Sequence, residues 1–265
     1  MAYEAILYDK HEHVAVLTLN RPERLNAISG ALREEVHAAV KAAHEDDDVR
    51  ALILTGSGRG FCSGADLSGA PPAGGGEQPQ NTRLDEMGWV GRWASRFFYF
   101  DKPLIGAING VAAGAGMSMA LACDLRVGSE HARFKAVFIE RSLSPDSGLS
   151  YFLPRVVGYS RAADLLMTSR AVNADEALRI GLLDRLVAHE QLVEEAVKVA
   201  REMIRWPPLA LRMTKRVLQH SMDADFEDAI RFESVGLGFA RKAPNDVRES
   251  RLAFTEKREP KYTGT

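Results

Sequence analysis

The period of apolar and polar positions changes several times along the chain, and each change predicts an element. Ile6–Tyr8 is short and apolar. Val14, Val16 and Thr18 then alternate with Ala15, Leu17 and Leu19 until Asn20-Arg21-Pro22 stops the run, so two strands are expected. After Ser29, a residue suited to an N-cap, Leu32, Val36, Ala39, Val40 and Ala43 recur at helical spacing. The acidic run Glu45-Asp46-Asp47-Asp48 is unfavourable at a helix C-terminus and should end that helix. Ala51-Leu52-Ile53-Leu54 is continuously apolar, as in a strand buried on both faces. Strand, helix and buried strand together predict an α/β fold.

Eight of the 22 glycines lie between Gly56 and Gly76, and they divide that stretch in two. Gly56–Leu67 keeps apolar anchors at Phe61 and Leu67 and should be an ordered loop. The segment 68–81 has almost none and reads as a surface loop, a lid or a plain linker. A helix carrying Leu84, Met87, Trp89, Val90, Trp93 and Phe97 should follow. Pro103–Gly110 reads as a buried strand ending in an Asn-Gly turn, Val111–Ala122 as a tightly packed helix, and Leu125 and Val127 as strand. Asn173-Ala174-Asp175-Glu176 resembles a capping box, Gly181 is a natural helix stop, and Leu182–Val187 should be the last strand. Beyond residue 190 the pattern is wholly helical. A boundary near 195 is expected, with a β/α core over 1–195 and a helical region over 196–265.

Charge and cysteine content narrow the function. With 34 basic and 36 acidic residues the net charge is −2, which argues against nucleic acid as the main partner. Cys62 and Cys123, both in apolar stretches, suggest reduced thiols in a cytoplasmic protein. The N-terminal residues resemble neither a signal peptide nor a transit peptide, and no apolar run approaches the ~20 residues that span a bilayer. The seven histidines form no metal-ligand spacing on one helix face, so no metal site is expected. A P-loop lysine, the third glycine of a dinucleotide fingerprint after Gly114-Ala115-Gly116, and a Gly-x-Ser-x-Gly elbow are all missing. Metal hydrolysis, hydride transfer and serine hydrolysis lose support.

Two small-residue turns remain, each at a predicted helix start: Gly60–Leu67 and Asn109–Gly116. Unpaired N–H groups from two such turns, converging on one point, would form an oxyanion hole. Taken singly, each turn fits an ordinary tight strand-to-helix connection better than an oxyanion hole.

The wider pattern resembles the enoyl-CoA hydratase/isomerase (crotonase) superfamily. The matching pieces run in family order: Arg21-Pro22 with Arg24, Asn26 and Ala27; Phe61–Leu67; Lys102-Pro103 leading to Ala107, Asn109 and Gly110; and Ala122-Cys123-Asp124-Leu125. Later come Phe134, Leu143–Gly148, Leu153-Pro154-Arg155 with Gly158, Ala177–Leu183, and Phe254 with Lys257 and Pro260. The resemblance implies a spiral of ββα turns, a C-terminal helical region used in oligomerisation, and a homotrimer or dimer of trimers. It also implies an acyl-CoA thioester substrate and no separate cofactor. It assigns the oxyanion donors to the N–H groups of Ala65 and Ala115, and coenzyme A contacts to Arg24, Ala27, Ser63, Gly64, Asp66, Leu67 and Ser68. Lys257 would meet the nucleotide phosphates, from a neighbouring subunit or as a mere solvated charge.

Hydratases of this superfamily hold a water between two glutamates, and alignment puts Ser118 and Phe138 at those positions. Neither side chain is a general base near neutral pH. Asp146 matches the aspartate with which family isomerases move a proton, although Pro145-Asp146-Ser147-Gly148 is also ordinary turn composition. Glu140 could reach the same face if its segment is extended; otherwise it pairs with Arg141 or Arg133. A double-bond isomerase is the leading expectation. A hydratase or lyase with a non-standard acid, and a non-catalytic acyl-CoA binder, remain open.

Overall fold

The computed structural model describes residues 3–68 and 79–265, so most of the expected loop 68–81 lies outside the described residues. The chain begins with β1 (Ile6–His11), β2 (Val14–Leu19), α1 (Gly30–Glu45), β3 (Ala51–Gly56) and β4 (Gly60–Cys62). The short α2 (Gln80–Arg83) and α3 (Gly88–Phe98) precede β5 (Leu104–Ile108), β6 (Val111–Ala113) and α4 (Ala115–Leu121). Next come β7 (Leu125–Ser129), β8 (Arg133–Lys135), α5 (Leu149–Val157), α6 (Tyr159–Thr168), β9 (Val172–Asn173), α7 (Ala174–Ile180) and β10 (Arg185–Val187). Helices α8 (Leu192–Ile204), α9 (Pro208–Ser221), α10 (Phe226–Ala240) and α11 (Pro244–Glu256) complete the chain.

Two sheets share these strands. The first has the order β1-β2-β3-β5-β7-β10, antiparallel only at β1–β2, and the second has the order β4-β6-β8-β9. Strand pairs β3/β4, β5/β6 and β7/β8 each give one strand to each sheet before a helix returns the chain. That repeat is a ββα spiral.

Period two sorts the buried strands onto two cores. Leu52, Leu54, Leu104 and Ile108 face the main core with Leu32, Val36 and Val40 of α1, while Ala51, Ile53, Ile105 and Ala107 face Leu192, Ala196, Val199 and Ala200 of α8. This is why the first sheet reads as continuously apolar. It also means that the expected boundary near 195 falls inside α8, a helix of the sheet's own core. Helix α9 packs on α8 and α10 and is tied down by ions. Lys215 donates to Asp124 at 2.8 Å, and Arg212 forks onto the buried Asp101 at 2.9 and 3.1 Å.

Most expected elements are present with shifted ends. Ser29 caps α1, its Oγ accepting from the Leu32 N–H at 3.2 Å, and α1 stops at Glu45. Asn173 caps α7 through the Glu176 N–H at 2.9 Å. The predicted helix over Val111–Ala122 is corrected. Val111–Ala113 is a strand between β4 and β8, and α4 starts only after Gly114.

Candidate active site

Three loops meet at one carbonyl oxygen. Asn26 Nδ2 donates to Gly60 O at 2.7 Å and to Ser57 O at 3.0 Å, while Asn109 Nδ2 donates to the same Gly60 O at 3.0 Å and to Gly58 O at 2.9 Å. Both amides are buried. Asn109 Oδ1 accepts the Gly56 N–H, and Asn26 Oδ1 accepts the Arg21 N–H at 2.8 Å. The loop after β2, the turn before β4 and the turn after β5 are thereby one unit. Leu25 and Asn26 are both left-handed, at φ 50° and 57°. Such strain persists only where surrounding bonds over-determine it.

From this unit the loop runs beside the segment after β4. Ser63 donates through its N–H to Leu25 O and through its hydroxyl to Arg24 O, and Ile28 forms a parallel bridge with Ala65. In that bridge the Ile28 N–H donates to Gly64 O at 2.8 Å and the Asp66 N–H to Ile28 O at 3.1 Å. Both flanks of Ala65 are therefore bonded, while its own N–H points to the opposite side, away from Ile28. Among the described residues no backbone acceptor meets it.

On that opposite side lies the start of α4. Gly64 has φ +90°, and a Cβ on it would sit 2.8 Å from Ala113 O and 3.5 Å from the Ala115 nitrogen. A Cβ on Gly116 would fall on the Cys62 carbonyl. Glycine at these two positions lets the backbones approach closely. As the first residue of α4, Ala115 has an N–H without an intrahelical partner. Two N–H groups from separate, closely packed segments thus have no backbone acceptor among the described residues, an arrangement able to hold a carbonyl oxygen that gains negative charge.

One turn into α4, the Ser118 hydroxyl donates to the backbone carbonyl of Asp146 at 3.3 Å. Asp146 is half-buried, and its carboxyl lies above the ordinary value because burial disfavours the charge, with the Ser147 hydroxyl opposing through a 2.9 Å bond. Phe138 is buried, its ring reaching the space beside Gly114. At Gly148 the turn faces the Phe152 ring and Ala94 of α3. The stripe Trp93, Phe97 and Phe100 is fully buried and belongs to the core.

The remaining expected residues divide. Arg24, Leu67 and Ser68 are exposed along the Arg24–Ser68 cradle, with Ala27 and Gly64 buried beneath. At Asp66, Oδ2 accepts from Arg21 Nη1 at 2.9 Å and Oδ1 from the Ser68 N–H and hydroxyl at 3.1 and 2.6 Å. Lys257 stands exposed at the end of α11, and among the described residues no hydrogen bond or ion pair joins it to the cradle. Glu140 is a correction. Its segment Ile139–Arg141 is a 3-10 turn rather than extended, and the side chain pairs outward with Lys135 at 2.7 Å. That ammonium holds its carboxyl below the usual range. Sequence reasoning gave no role to Arg21, Asn26 or Asn109, although polar residues embedded in apolar turns were a usable sign.

The family described as enoyl-CoA hydratase/isomerase matches residues 9–265. A crotonyl-CoA hydratase of Syntrophomonas wolfei is 36% identical over 264 residues, covering 99% of each chain. A 1,2-epoxyphenylacetyl-CoA isomerase of Escherichia coli is 34% identical over 261 residues, 98% of this chain and 99% of that one. The crystal structure of enoyl-CoA hydratase from Bacillus anthracis has a TM-score of 0.89 at 31% identity, covering 99% of this chain and 100% of that one. The ββα spiral is the crotonase fold, and the chain belongs to the enoyl-CoA hydratase/isomerase family.

Proposed function

We propose that this family member is a double-bond isomerase of an enoyl-CoA thioester, with Asp146 as the base. One observation carries the reading: the half-buried Asp146 is held against α4 by Ser118, one turn from Ala115, at a site whose other hydratase position is the buried Phe138. Asp146 removes a proton from C2 of a 3-enoyl thioester. The electron pair moves into a dienolate whose oxygen accepts from the Ala65 and Ala115 N–H groups. The same carboxyl returns the proton to C4, leaving a 2-enoyl thioester. Atoms and charge balance with no cofactor, because coenzyme A arrives with the substrate. Arg24, Ala27, Ser63, Leu67 and Ser68 hold the thioester's nucleotide arm, and Lys257 reaches the phosphates from a neighbouring subunit of a trimer. Apolar side chains exposed on α10, Phe226 and Ile230 among them, support that assembly.

The name of the Syntrophomonas wolfei relative favours hydration as a second reading. A panel of 2-enoyl, 3-enoyl and 2,4-dienoyl-CoA thioesters, followed by absorbance and mass, separates the two. Conversion of the 3-enoyl ester at constant mass supports isomerisation. A gain of 18 mass units on a 2-enoyl ester, the mass of one water, supports hydration. Binding without turnover leaves a non-catalytic acyl-CoA binder.

A further inference from the structure

We propose that Arg21 and Asp66 are positioning residues that aim the Ala65 N–H at the thioester oxygen. The inference rests on the oxyanion-hole reading above and adds to it. Arg21 Nη1 donates to Ala27 O at 2.7 Å and to Asp66 Oδ2 at 2.9 Å, so one nitrogen clamps together the two segments that form the Ile28–Ala65 bridge. Asp66 Oδ1 then takes both donors of Ser68, closing the segment just beyond Ala65. Arg21 is anchored in turn: its N–H donates to Asn26 Oδ1 at 2.8 Å, and its carbonyl accepts the Asn26 N–H at 2.9 Å. The Ile28 bridge thus fixes the Gly64 carbonyl and the Asp66 N–H on either side of Ala65, and among the described residues the Ala65 N–H has no backbone acceptor.

The pair differs from an ordinary surface ion pair, which contributes little because water and salt screen it. The Arg21 and Asp66 side chains are only 21% and 14% exposed. Hydrogen bonds from Ser68, and after them from Arg21, hold the Asp66 carboxyl down at about 2, so the clamp stays ionised at any pH where the site could work. Its function is geometric. An N–H aimed wrongly by a fraction of an ångström stabilises the developing oxyanion less, while the ground-state thioester loses little.

The test uses Arg21→Gln, Asp66→Asn and the conservative Arg21→Lys in the whole chain, with a cinnamoyl-CoA thioester as optical probe and the 3-enoyl-CoA as substrate. Donors on the thioester carbonyl draw electron density through the conjugated acyl group and move its absorbance to longer wavelength. Arg21→Gln and Asp66→Asn should lose most of that shift and lower kcat about ten- to hundred-fold with KM within about three-fold, the scale of a misplaced catalytic group. Arg21→Lys, which keeps a charged donor, should recover part of both. If Arg21→Gln does not fold, Asp66→Asn alone decides, since it keeps shape while removing the charge and turning one of the two acceptor oxygens into a donor. Wild-type shift and kcat in Asp66→Asn overturn the proposal, and so does a loss of kcat with the shift intact. A wild-type protein that binds the probe with no shift removes the oxyanion hole itself, a different failure.

Discussion

The Ser118 hydroxyl donates to the main-chain carbonyl of Asp146 over 3.3 Å, from a helix that begins with Ala115. At the position where family hydratases would carry a carboxylate, this chain uses a hydroxyl to hold the turn that bears Asp146, the proposed base. General acid–base catalysis contributes about 10²–10⁴-fold. Asp146→Asn should therefore lower isomerase turnover by about that factor with little change in thioester affinity, read by steady-state kinetics and calorimetry.

Acidity supplies a second check. In the proposed reaction the active form of Asp146 is the carboxylate, and burial raises its pKa above the ordinary 3.8. Activity should fall as pH drops through that raised value and level off above it. Ser147→Ala removes the bond that opposes the shift and should move the acid limb to higher pH. Stability runs the other way. The buried carboxylate costs stability above its folded pKa and nothing below its unfolded one, so Asp146→Asn should raise Tm at neutral pH and leave it unchanged below about pH 3.

Asn26 supplies three hydrogen bonds in a fully buried setting. Asn26→Ala strands the partly buried Arg21 N–H and Ser57 carbonyl, and each group left unsatisfied away from water costs about 1–3 kcal/mol. Urea unfolding should show a loss of about 2–4 kcal/mol.

Gly116→Ala should be more damaging than its size suggests, because its Cβ would overlap the Cys62 carbonyl, which is backbone and cannot rotate away. A destabilisation of about 3 kcal/mol or more is expected by the same measurement. Gly30→Ala, with nothing within 4 Å of the added carbon, is the control and should be neutral or stabilising by up to about 1 kcal/mol.

Light scattering at micromolar concentration should give a trimer or a multiple of it. Phe226 is 75% and Ile230 43% exposed, whereas Val217 packs toward Gly236 and Phe232 stacks on His220 within the chain. Phe226→Asp, at the exposed first residue of α10, should shift the mass toward monomer.

Legibility in the sequence followed burial pattern. Helices α1 and α7 could be read because each has a polar face or a capping side chain, and strand β2 because Asn20-Arg21-Pro22 ends its apolar run. The stretch Val111–Leu121 could not, because small residues buried on every side carry no period, and a strand, a turn and a helix look alike in it. Glu140 makes the surface ion pair that is one of its two readings, but with Lys135 rather than Arg141 or Arg133, because a short 3-10 turn gives no repeat to count. Within the site, Ala65, Ala115 and Asp146 stood out only through family resemblance, since an N–H donor has no residue type. The bond between Arg21 and Asp66 joins residues 45 apart, and no local pattern marks it.

The single oxygen of Gly60, met by Asn26 from one side and Asn109 from the other, has a temporal consequence. During synthesis the first strands can pair and α1 can pack, yet the knot that shapes the cradle stays open until residue 109 has emerged. Long-range closures of this kind are slow steps, because chain entropy must be lost before the contacts reward it. Thioester binding should therefore appear late in refolding, after most secondary structure, which makes a bound ligand a reporter of the finished spiral rather than of its parts.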